Sequence, residues 1–211
     1  MSDGYDAVDI ADLVVRKTEA FRARRIDDVI PAEALQPTLA AVAAAGDRVL
    51  DFGGAAGFHY LTASQAHLQR AFRWAVVERP VMVEWAKHLE QDGLRFFTAI
   101  EDAVQWLGGV DLLHSNGVLQ YLDAPEAMLE RLLALKSRHV LWGRMLLGES
   151  RATEIQISPL SDHGPGPAPP GFVDRQVTHT RVRMSQSTFL AVHRGFRIVW
   201  QSADSFLFVR Q

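Results

Sequence analysis

A short apolar run that ends in a cluster of glycines constrains the fold of this chain more than any other feature. The run Val49-Leu50-Asp51-Phe52 leads into Gly53-Gly54-Ala55-Ala56-Gly57, and a stretch with helical character follows. Apolar runs of this length, bounded by glycine, are typical of buried strands. Small residues between a strand and a helix let a ligand approach the backbone amides closely. The segment therefore predicts a strand, a tight ligand-binding turn and a helix.

The rest of the chain alternates between further apolar runs and stretches that can form helices. Buried strands are predicted at residues 48–52, 74–77, 94–97, 110–114 and 139–142, followed by an antiparallel hairpin at 196–200 and 205–209. Helices are predicted within 1–45, at 57–69, at 80–91 with Pro80 in the first turn, at 100–107 and 123–136, and from Ser187, as the N-cap, to Arg194. Strands that alternate with helices at this spacing indicate an α/β domain with a parallel sheet.

Two boundaries follow from changes in composition along the chain. We predict an N-terminal helical extension over residues 1–46 and a single α/β domain over 47–211. Residues 158–171 are dense in proline and glycine, which predicts a long loop, either a lid or a simple insertion. Residues 173–184 are expected to be extended.

Composition excludes several classes of function. The formal net charge of -3 gives no support for binding nucleic acid, and no apolar run is long enough to span a bilayer. The absence of cysteine excludes disulfides and thiolate sites, and the histidine spacing predicts no metal site. The acidic N-terminus lacks the pattern of a signal peptide, so we expect a cytoplasmic protein. Nothing in the sequence specifies an oligomeric state.

Two acids flank the glycine-rich turn and indicate the charge of its ligand. Asp51 precedes the glycines, where a carboxylate repels a pyrophosphate and suits a cationic ligand. The glycine spacing is neither the dinucleotide fingerprint nor the phosphate loop with its lysine. Glu78 follows the second strand, where an acid accepts hydrogen bonds from ribose hydroxyls. The alternatives are a tight turn without a ligand and a glutamate that merely pairs with Arg79.

The pattern Asp51-x-Gly53-x-Ala55-x-Gly57 resembles motif I, D/E-x-G-x-G-x-G, of class I S-adenosylmethionine-dependent methyltransferases, with Ala55 in place of the middle glycine. Glu78 matches the acid of that family after its second strand, and residues 110–122 resemble its fourth-strand segment. More narrowly, LDFGGAAGFHY, WAVVERP and SNGVLQYL are similar to a bacterial methyltransferase family often associated with polysaccharide biosynthesis.

The resemblance implies a Rossmann-like, seven-stranded, mostly parallel sheet that binds S-adenosylmethionine and releases S-adenosylhomocysteine. The amides of the glycine loop would hold the methionine end, and Glu78 would bind the ribose. The residues after the third strand would contact the adenine, and those after the fourth strand would lie beside the methionine moiety. The implied cofactor-binding residues are Asp51, Gly53, Gly54, Ala55, Gly57, Glu78, Ile100, Glu101, Ser115 and Asn116.

Candidates for proton transfer and acceptor binding lie near the same strand ends. His114 ends the fourth predicted strand and His59 follows the glycine loop, so either is a candidate base. For each histidine the alternative role is a structural hydrogen bond. Tyr60 and Arg144 are candidate acceptor-binding residues, although a surface ion pair would also explain Arg144. His163 and His179, at the loop of residues 158–171, are weaker candidates.

The sequence therefore predicts a methyltransferase that uses S-adenosylmethionine on a small-molecule acceptor, with a sugar or polysaccharide precursor as the candidate. One alternative is a non-catalytic scaffold or sensor that binds S-adenosylmethionine. The other is an NAD-dependent oxidoreductase, which the glycine spacing and Asp51 disfavour.

Overall fold

The computed structural model, which describes residues 7–22 and 24–211, is built on a seven-stranded sheet. The sheet has the strand order β3-β2-β1-β4-β5-β10-β9. Its strands are β1 (Arg48–Phe52), β2 (Arg73–Val77), β3 (Leu94–Phe97), β4 (Leu112–Asn116), β5 (His139–Gly143), β9 (Phe196–Gln201) and β10 (Phe206–Arg210). The first five are parallel, and β10 runs antiparallel to both β5 and β9. This confirms the predicted Rossmann-like sheet with its C-terminal hairpin.

Helices cover both faces of the sheet, as expected for strands that are apolar on both sides. The described helices are α1 (Val8–Glu19), α2 (Ala32–Ala44), α3 (Phe58–Ala66), α4 (Pro80–Ala86), α5 (Ile100–Leu107), α6 (Pro125–Leu133) and α7 (Gln186–Val192). Residues of α1 to α4 join one buried cluster with one face of the sheet. Residues of α5 to α7 join a second cluster on the opposite face. Within the described residues, no helix is long and apolar enough to cross a bilayer.

Several predicted element ends shift by a few residues. Strand β4 reaches Asn116 rather than His114, so Ser115 and Asn116 lie within the strand. Ser185, not Ser187, caps α7, because its Oγ accepts the amide hydrogen of Thr188. The third, fourth and sixth helices are each shorter than predicted. Residues 1–6 and 23 of the predicted N-terminal helical region lie outside the described residues.

A second, three-stranded sheet lies between β5 and α7 in the chain. It consists of β6 (Leu147–Gly148), β7 (Ala152–Pro159) and β8 (Gln176–Ser185) in the order β6-β8-β7. The extended character predicted for 173–184 corresponds to β8, whereas β7 was not predicted and includes the first two residues of the expected loop. The loop that follows packs against α1: Lys17 donates from Nζ to the carbonyl of Ser161 at 2.5 Å.

Candidate functional site

The carboxyl ends of β1, β2, β4 and β5 meet at one edge of the large sheet. The strand order reverses between β1 and β4 at this edge. On one side of β1 lie β2 and then β3, and on the other side lie β4 and then β5. Ligands of open α/β sheets bind beyond the carboxyl ends of the strands at such a reversal. The candidate site is therefore built from the segments that leave these four strands.

The glycine loop between β1 and α3 has the backbone shape that its sequence predicts. Gly53, Ala55 and Gly57 take positive φ angles of 72°, 50° and 82°. Ala55 occupies a left-handed conformation that favours glycine. The alanine that replaces the middle glycine of the motif is therefore held in a less favoured backbone conformation. The amide of Gly53 bonds to the carbonyl of Val77, which ties the loop to the end of β2.

Packing inside the protein also requires the first two glycines. A Cβ at Gly53 would lie 2.3 Å from Val118, in the segment after β4. A Cβ at Gly54 would lie 2.4 Å from the carboxylate of Asp51. These two positions therefore make room for side chains of the protein itself, in addition to any close approach of a ligand.

Glu78 lies where the sequence places it, directly after β2 and beside the glycine loop. Its Oε1 accepts the amide of Ala55 at 3.2 Å, and its Oε2 accepts the amide of Arg79 at 2.8 Å. Burial raises the pKa of the Glu78 carboxyl, against the effect of these two backbone bonds. An ionised carboxylate offers about four lone-pair positions, so the two amides leave capacity for further donors.

Asp51, a predicted cofactor-binding residue, does not reach the surface in this structure. Its side chain is fully buried, with Oδ2 accepting Nε1 of Trp74 at 2.9 Å and Oδ1 accepting Nδ1 of His114 at 2.7 Å. Burial acts to raise the pKa of Asp51, but the neighbouring His114 holds that pKa below its usual value. The carboxylate therefore lies beneath Gly54 and bonds into the core.

The hydrogen bonds of Asp51 continue outward through both predicted histidines. Nε2 of His114 lies 3.0 Å from Oγ1 of Thr38, and the same oxygen lies 3.0 Å from Nδ1 of His59. Nε2 of His59 then lies 3.5 Å from Nδ2 of Asn116. Sequence reasoning missed Thr38, which is fully buried on α2 and joins the two histidines.

Arg144 ends this series of contacts at the surface. Its Nε donates to Oδ1 of Asn116 at 3.0 Å, and one terminal nitrogen donates to the Asn116 carbonyl at 3.3 Å. Its backbone takes a positive φ of 50° just after β5. Among the residues that the structure describes, no carboxylate forms an ion pair with Arg144.

Ser115 is the other predicted residue at the end of β4. Its side chain is buried, and its Oγ finds no hydrogen-bond partner within residues 7–22 and 24–211. Successive side chains of a strand point to opposite faces, so Ser115 faces away from His114 and Asn116.

Three further predicted site residues have their contacts outside the glycine loop and the histidines. The hydroxyl of Tyr60 donates to the carbonyl of Asp92, before β3 begins, so Tyr60 points towards the opposite edge of the sheet. Ile100 is buried in the core at the start of α5, and Glu101 pairs with Arg131 on the surface at 2.6 Å. The predicted roles of Ile100 and Glu101 in adenine binding stay predictions.

The described residues contain no group of three or more His, Asp or Glu side chains placed to hold a metal ion. Six polar side chains nonetheless lie at or beneath one edge of the sheet. They are two carboxylates, two imidazoles, an amide and a guanidinium, from Asp51, Glu78, His59, His114, Asn116 and Arg144. This set suits binding of a polar organic ligand with proton exchange, since it holds hydrogen-bond acceptors, a neutral base and a fixed cation.

The structure is similar to several solved methyltransferases. The CcbJ methyltransferase from Streptomyces caelestis matches with a TM-score of 0.56 at 10% identity, covering 95% of this chain and 97% of that one. CalS10, an amino pentose methyltransferase from Micromonospora echinaspora solved with S-adenosylmethionine bound, matches with a TM-score of 0.51 at 14% identity, covering 92% and 95%. An S-adenosylmethionine-dependent methyltransferase from Mesorhizobium loti matches with a TM-score of 0.51 at 14% identity, covering 84% and 96%. The similarity establishes a methyltransferase fold.

No protein-family model matches the sequence, and a search of curated proteins finds no significant match.

Proposed function

We propose that this chain transfers the methyl group of S-adenosylmethionine to a small-molecule acceptor at the carboxyl edge of its large sheet. One observation carries the proposal: in a methyltransferase fold, the Glu78 carboxylate lies against the glycine loop where the strand order reverses. An acid at that place is suited to accept hydrogen bonds from ribose hydroxyls.

The residues at the edge fit S-adenosylmethionine. Gly53, Ala55 and Gly57 shape the loop whose amides would face the methionine end, and Glu78 keeps acceptor capacity for the ribose. Ser115 offers a buried hydroxyl without a partner among the described residues. When bound, S-adenosylmethionine supplies a methyl group: the acceptor forms a bond to that carbon as the carbon–sulfur bond breaks, leaving S-adenosylhomocysteine and one proton to remove from the acceptor.

For the acceptor, we propose a sugar or polysaccharide precursor that carries an anionic group. CalS10, which shares the fold, is an amino pentose methyltransferase. Arg144 favours the anionic group, because Asn116 fixes its guanidinium and no carboxylate of the described chain neutralises it. Planar guanidinium groups bind carboxylates and phosphates through paired hydrogen bonds.

Ligand-dependent stability tests the cofactor directly. A ligand that binds only the folded state, at 100 times its dissociation constant, stabilises a protein by about 2.7 kcal/mol. We expect S-adenosylmethionine and S-adenosylhomocysteine to raise the free energy of unfolding, measured by urea denaturation, and NAD to leave it unchanged. Stabilisation by NAD alone would favour the oxidoreductase alternative, and stabilisation by neither ligand would refute the proposed cofactor.

Glu78→Ala should weaken S-adenosylmethionine binding by about 1.5–3 kcal/mol, the range for hydrogen bonds to a charged group. Titration calorimetry on the purified variant measures the change. Glu84→Ala is the matched control, because Glu84 is exposed on the helix that follows Glu78. A folded Glu78→Ala protein with the wild-type affinity would place Glu78 outside the site.

A further inference from the structure

The contacts between Asp51 and Arg144 form one chain of hydrogen bonds, with a buried carboxylate at its inner end. The ionised Asp51 carboxylate can only accept, so Nδ1 of His114 carries the hydrogen between them. Nε2 of His114 lies 3.0 Å from Oγ1 of Thr38, which can donate its own hydrogen or accept one. In either case the oxygen of Thr38 keeps a lone pair that can accept the Nδ1 hydrogen of His59.

The outer end of the chain sets the direction of the hydrogen bonds at His59. Arg144 can only donate, so the oxygen of the Asn116 side chain faces it. The amide nitrogen of Asn116 therefore faces His59 and donates towards Nε2. A ring that accepts at Nε2 carries its hydrogen at Nδ1, which is a form that the contact with Thr38 also allows.

The two histidines differ in what they offer beyond this chain. His114 is fully buried, and both of its ring nitrogens lie 3.0 Å or less from their partners. His59 is half-buried, and within the described residues the contact recorded for its Nε2 is the long 3.5 Å one with Asn116. Burial and the nearby His114 lower the pKa of His59 to about 3, so its ring is neutral near pH 7. Of the two rings, His59 is therefore the one whose acceptor nitrogen is held loosely enough for a hydroxyl group to replace its partner.

Resting on the proposed methyl transfer, we propose that Nε2 of His59 takes up the acceptor proton and that Thr38 is the positioning residue that holds His59 in the required tautomer. As a hydroxyl oxygen bonds to the methyl carbon, it becomes positive and its hydrogen becomes strongly acidic, so a weak base suffices. The Nε2 lone pair forms the new N–H bond, and the O–H electron pair remains on the oxygen. The charge that develops on His59 faces the negative Asp51 through Thr38 and His114.

The tautomer of His59 is measurable without knowing the acceptor. Nitrogen-15 NMR of the full chain with labelled histidine distinguishes the two neutral forms from the charged ring, and His59→Gln assigns the signal by its loss. We expect a neutral ring at pH 7 with its hydrogen on Nδ1, and a loss of that preference in Thr38→Val. Hydrogen on Nε2, or a doubly protonated ring, in the wild-type protein would overturn the proposal.

Paired substitutions separate positioning from packing. Thr38→Val removes the hydroxyl at similar volume, and Thr38→Ser restores it. With an acceptor that the wild-type protein methylates, Thr38→Val should lower kcat about 10- to 100-fold, below the roughly 10²- to 10⁴-fold effect of removing a base. The KM for S-adenosylmethionine should not change, and Thr38→Ser should recover most of kcat. Equal losses in both variants, or wild-type kcat in Thr38→Val, would overturn the role of Thr38.

Calorimetry with S-adenosylmethionine on the same samples distinguishes a failure of the proposed function from a failure of the roles assigned to His59 and Thr38. If the wild-type protein does not bind S-adenosylmethionine, the proposed function fails whatever tautomer the spectrum shows. If it binds, and the His59 hydrogen is on Nε2, the proposed function stands and the assignment of His59 and Thr38 fails.

Discussion

Two pairs of histidines have their rings close together in this protein, and they differ in the groups that they contact. The ring centres of His59 and His114 lie 4.6 Å apart, with Thr38 between two of their nitrogens and Asp51 bonded to His114. The ring centres of His163 and His179 lie 5.0 Å apart, and their Nε2 atoms contact each other directly at 2.8 Å. The first pair lies at the candidate site, and the second joins the loop after β7 to β8.

The two pairs differ in the charge of the group that accepts the Nδ1 hydrogen of one ring. Nδ1 of His163 donates to the carbonyl of Leu160, so Nε2 of the neutral ring accepts the hydrogen of His179. Burial lowers the pKa of His163, which keeps that ring neutral. The ring of His163 thus bonds to a neutral peptide carbonyl, whereas the ring of His114 bonds to the carboxylate of Asp51. Hydrogen bonds to charged groups contribute more to stability than bonds between neutral groups.

Among the substitutions in the two pairs, removal of the Asp51 carboxylate should lower the free energy of unfolding the most. Asp51→Ala leaves Nε1 of Trp74 and Nδ1 of His114 buried without their acceptor. We expect the free energy of unfolding to fall by about 3–6 kcal/mol, since each of the two lost hydrogen bonds to a charged acceptor contributes about 1.5–3 kcal/mol. Urea denaturation measures the loss.

Asp123→Ala provides the control, because Asp123 is exposed before α6 and should change stability by less than about 0.5 kcal/mol. A loss below about 1 kcal/mol in Asp51→Ala would mean that the core rearranges to satisfy both donors, and the chain would then lack a fixed inner end.

Breaking the second pair should cost less. His163→Phe keeps a similar ring but removes the bonds to Leu160 and to His179. Two bonds between neutral groups contribute about 1–3 kcal/mol together. The free energy of unfolding reports the loss, and faster cleavage within residues 158–171 under limited proteolysis would locate it.

His88→Phe is the matched control, since the His88 side chain is 55% exposed and pairs only with Glu19 in the described contacts. If His163→Phe destabilises the protein as much as Asp51→Ala does, charge does not explain the difference between the two pairs.

The two sheets show which parts of the fold the sequence could predict. Strands β1, β2, β4 and β5 are largely buried runs followed directly by polar or small residues, so apolar pattern and chain punctuation locate them. Strand β7 has the opposite character: Ile155 and Ile157 are 63% and 65% exposed, and the polar Gln156 lies between them. A strand held by its neighbour rather than by a buried apolar face leaves little trace in composition.

The candidate site was most predictable at the carboxyl ends of the strands and in the segments that directly follow them. The glycine loop and Glu78 were located in this way, because the end of a parallel strand fixes the position of the next few residues. Thr38 lies in an alanine-rich helix, and no local pattern distinguishes its hydroxyl from that of any other buried threonine. The partners of Tyr60 and Glu101 could not be predicted, because the direction of a side chain depends on helix rotation, which proximity in sequence does not define.

Acid should destabilise the protein in part through His59. The folded-state pKa of His59 is about 3, and the unfolded-state value is near 6.5. Above pH 6.5 neither state binds the proton, so stability does not change with pH through this group. Below pH 6.5 the unfolded chain binds a proton that the folded chain does not, so the free energy of unfolding falls.

The slope for one such histidine is about 1.4 kcal/mol per pH unit when the unfolded ring is fully protonated. His193, whose pKa is lowered to about 4 by burial, adds a similar contribution, so the wild-type curve alone does not isolate His59. The difference between wild type and His59→Gln does, because the variant loses one titrating group while His193 remains. We expect urea denaturation between pH 6.5 and 4.5 to give a shallower decline for His59→Gln than for the wild-type protein. Parallel curves for the two proteins would mean that His59 titrates in the folded protein as it does in the unfolded chain, and burial would then not keep its ring uncharged below pH 6.5.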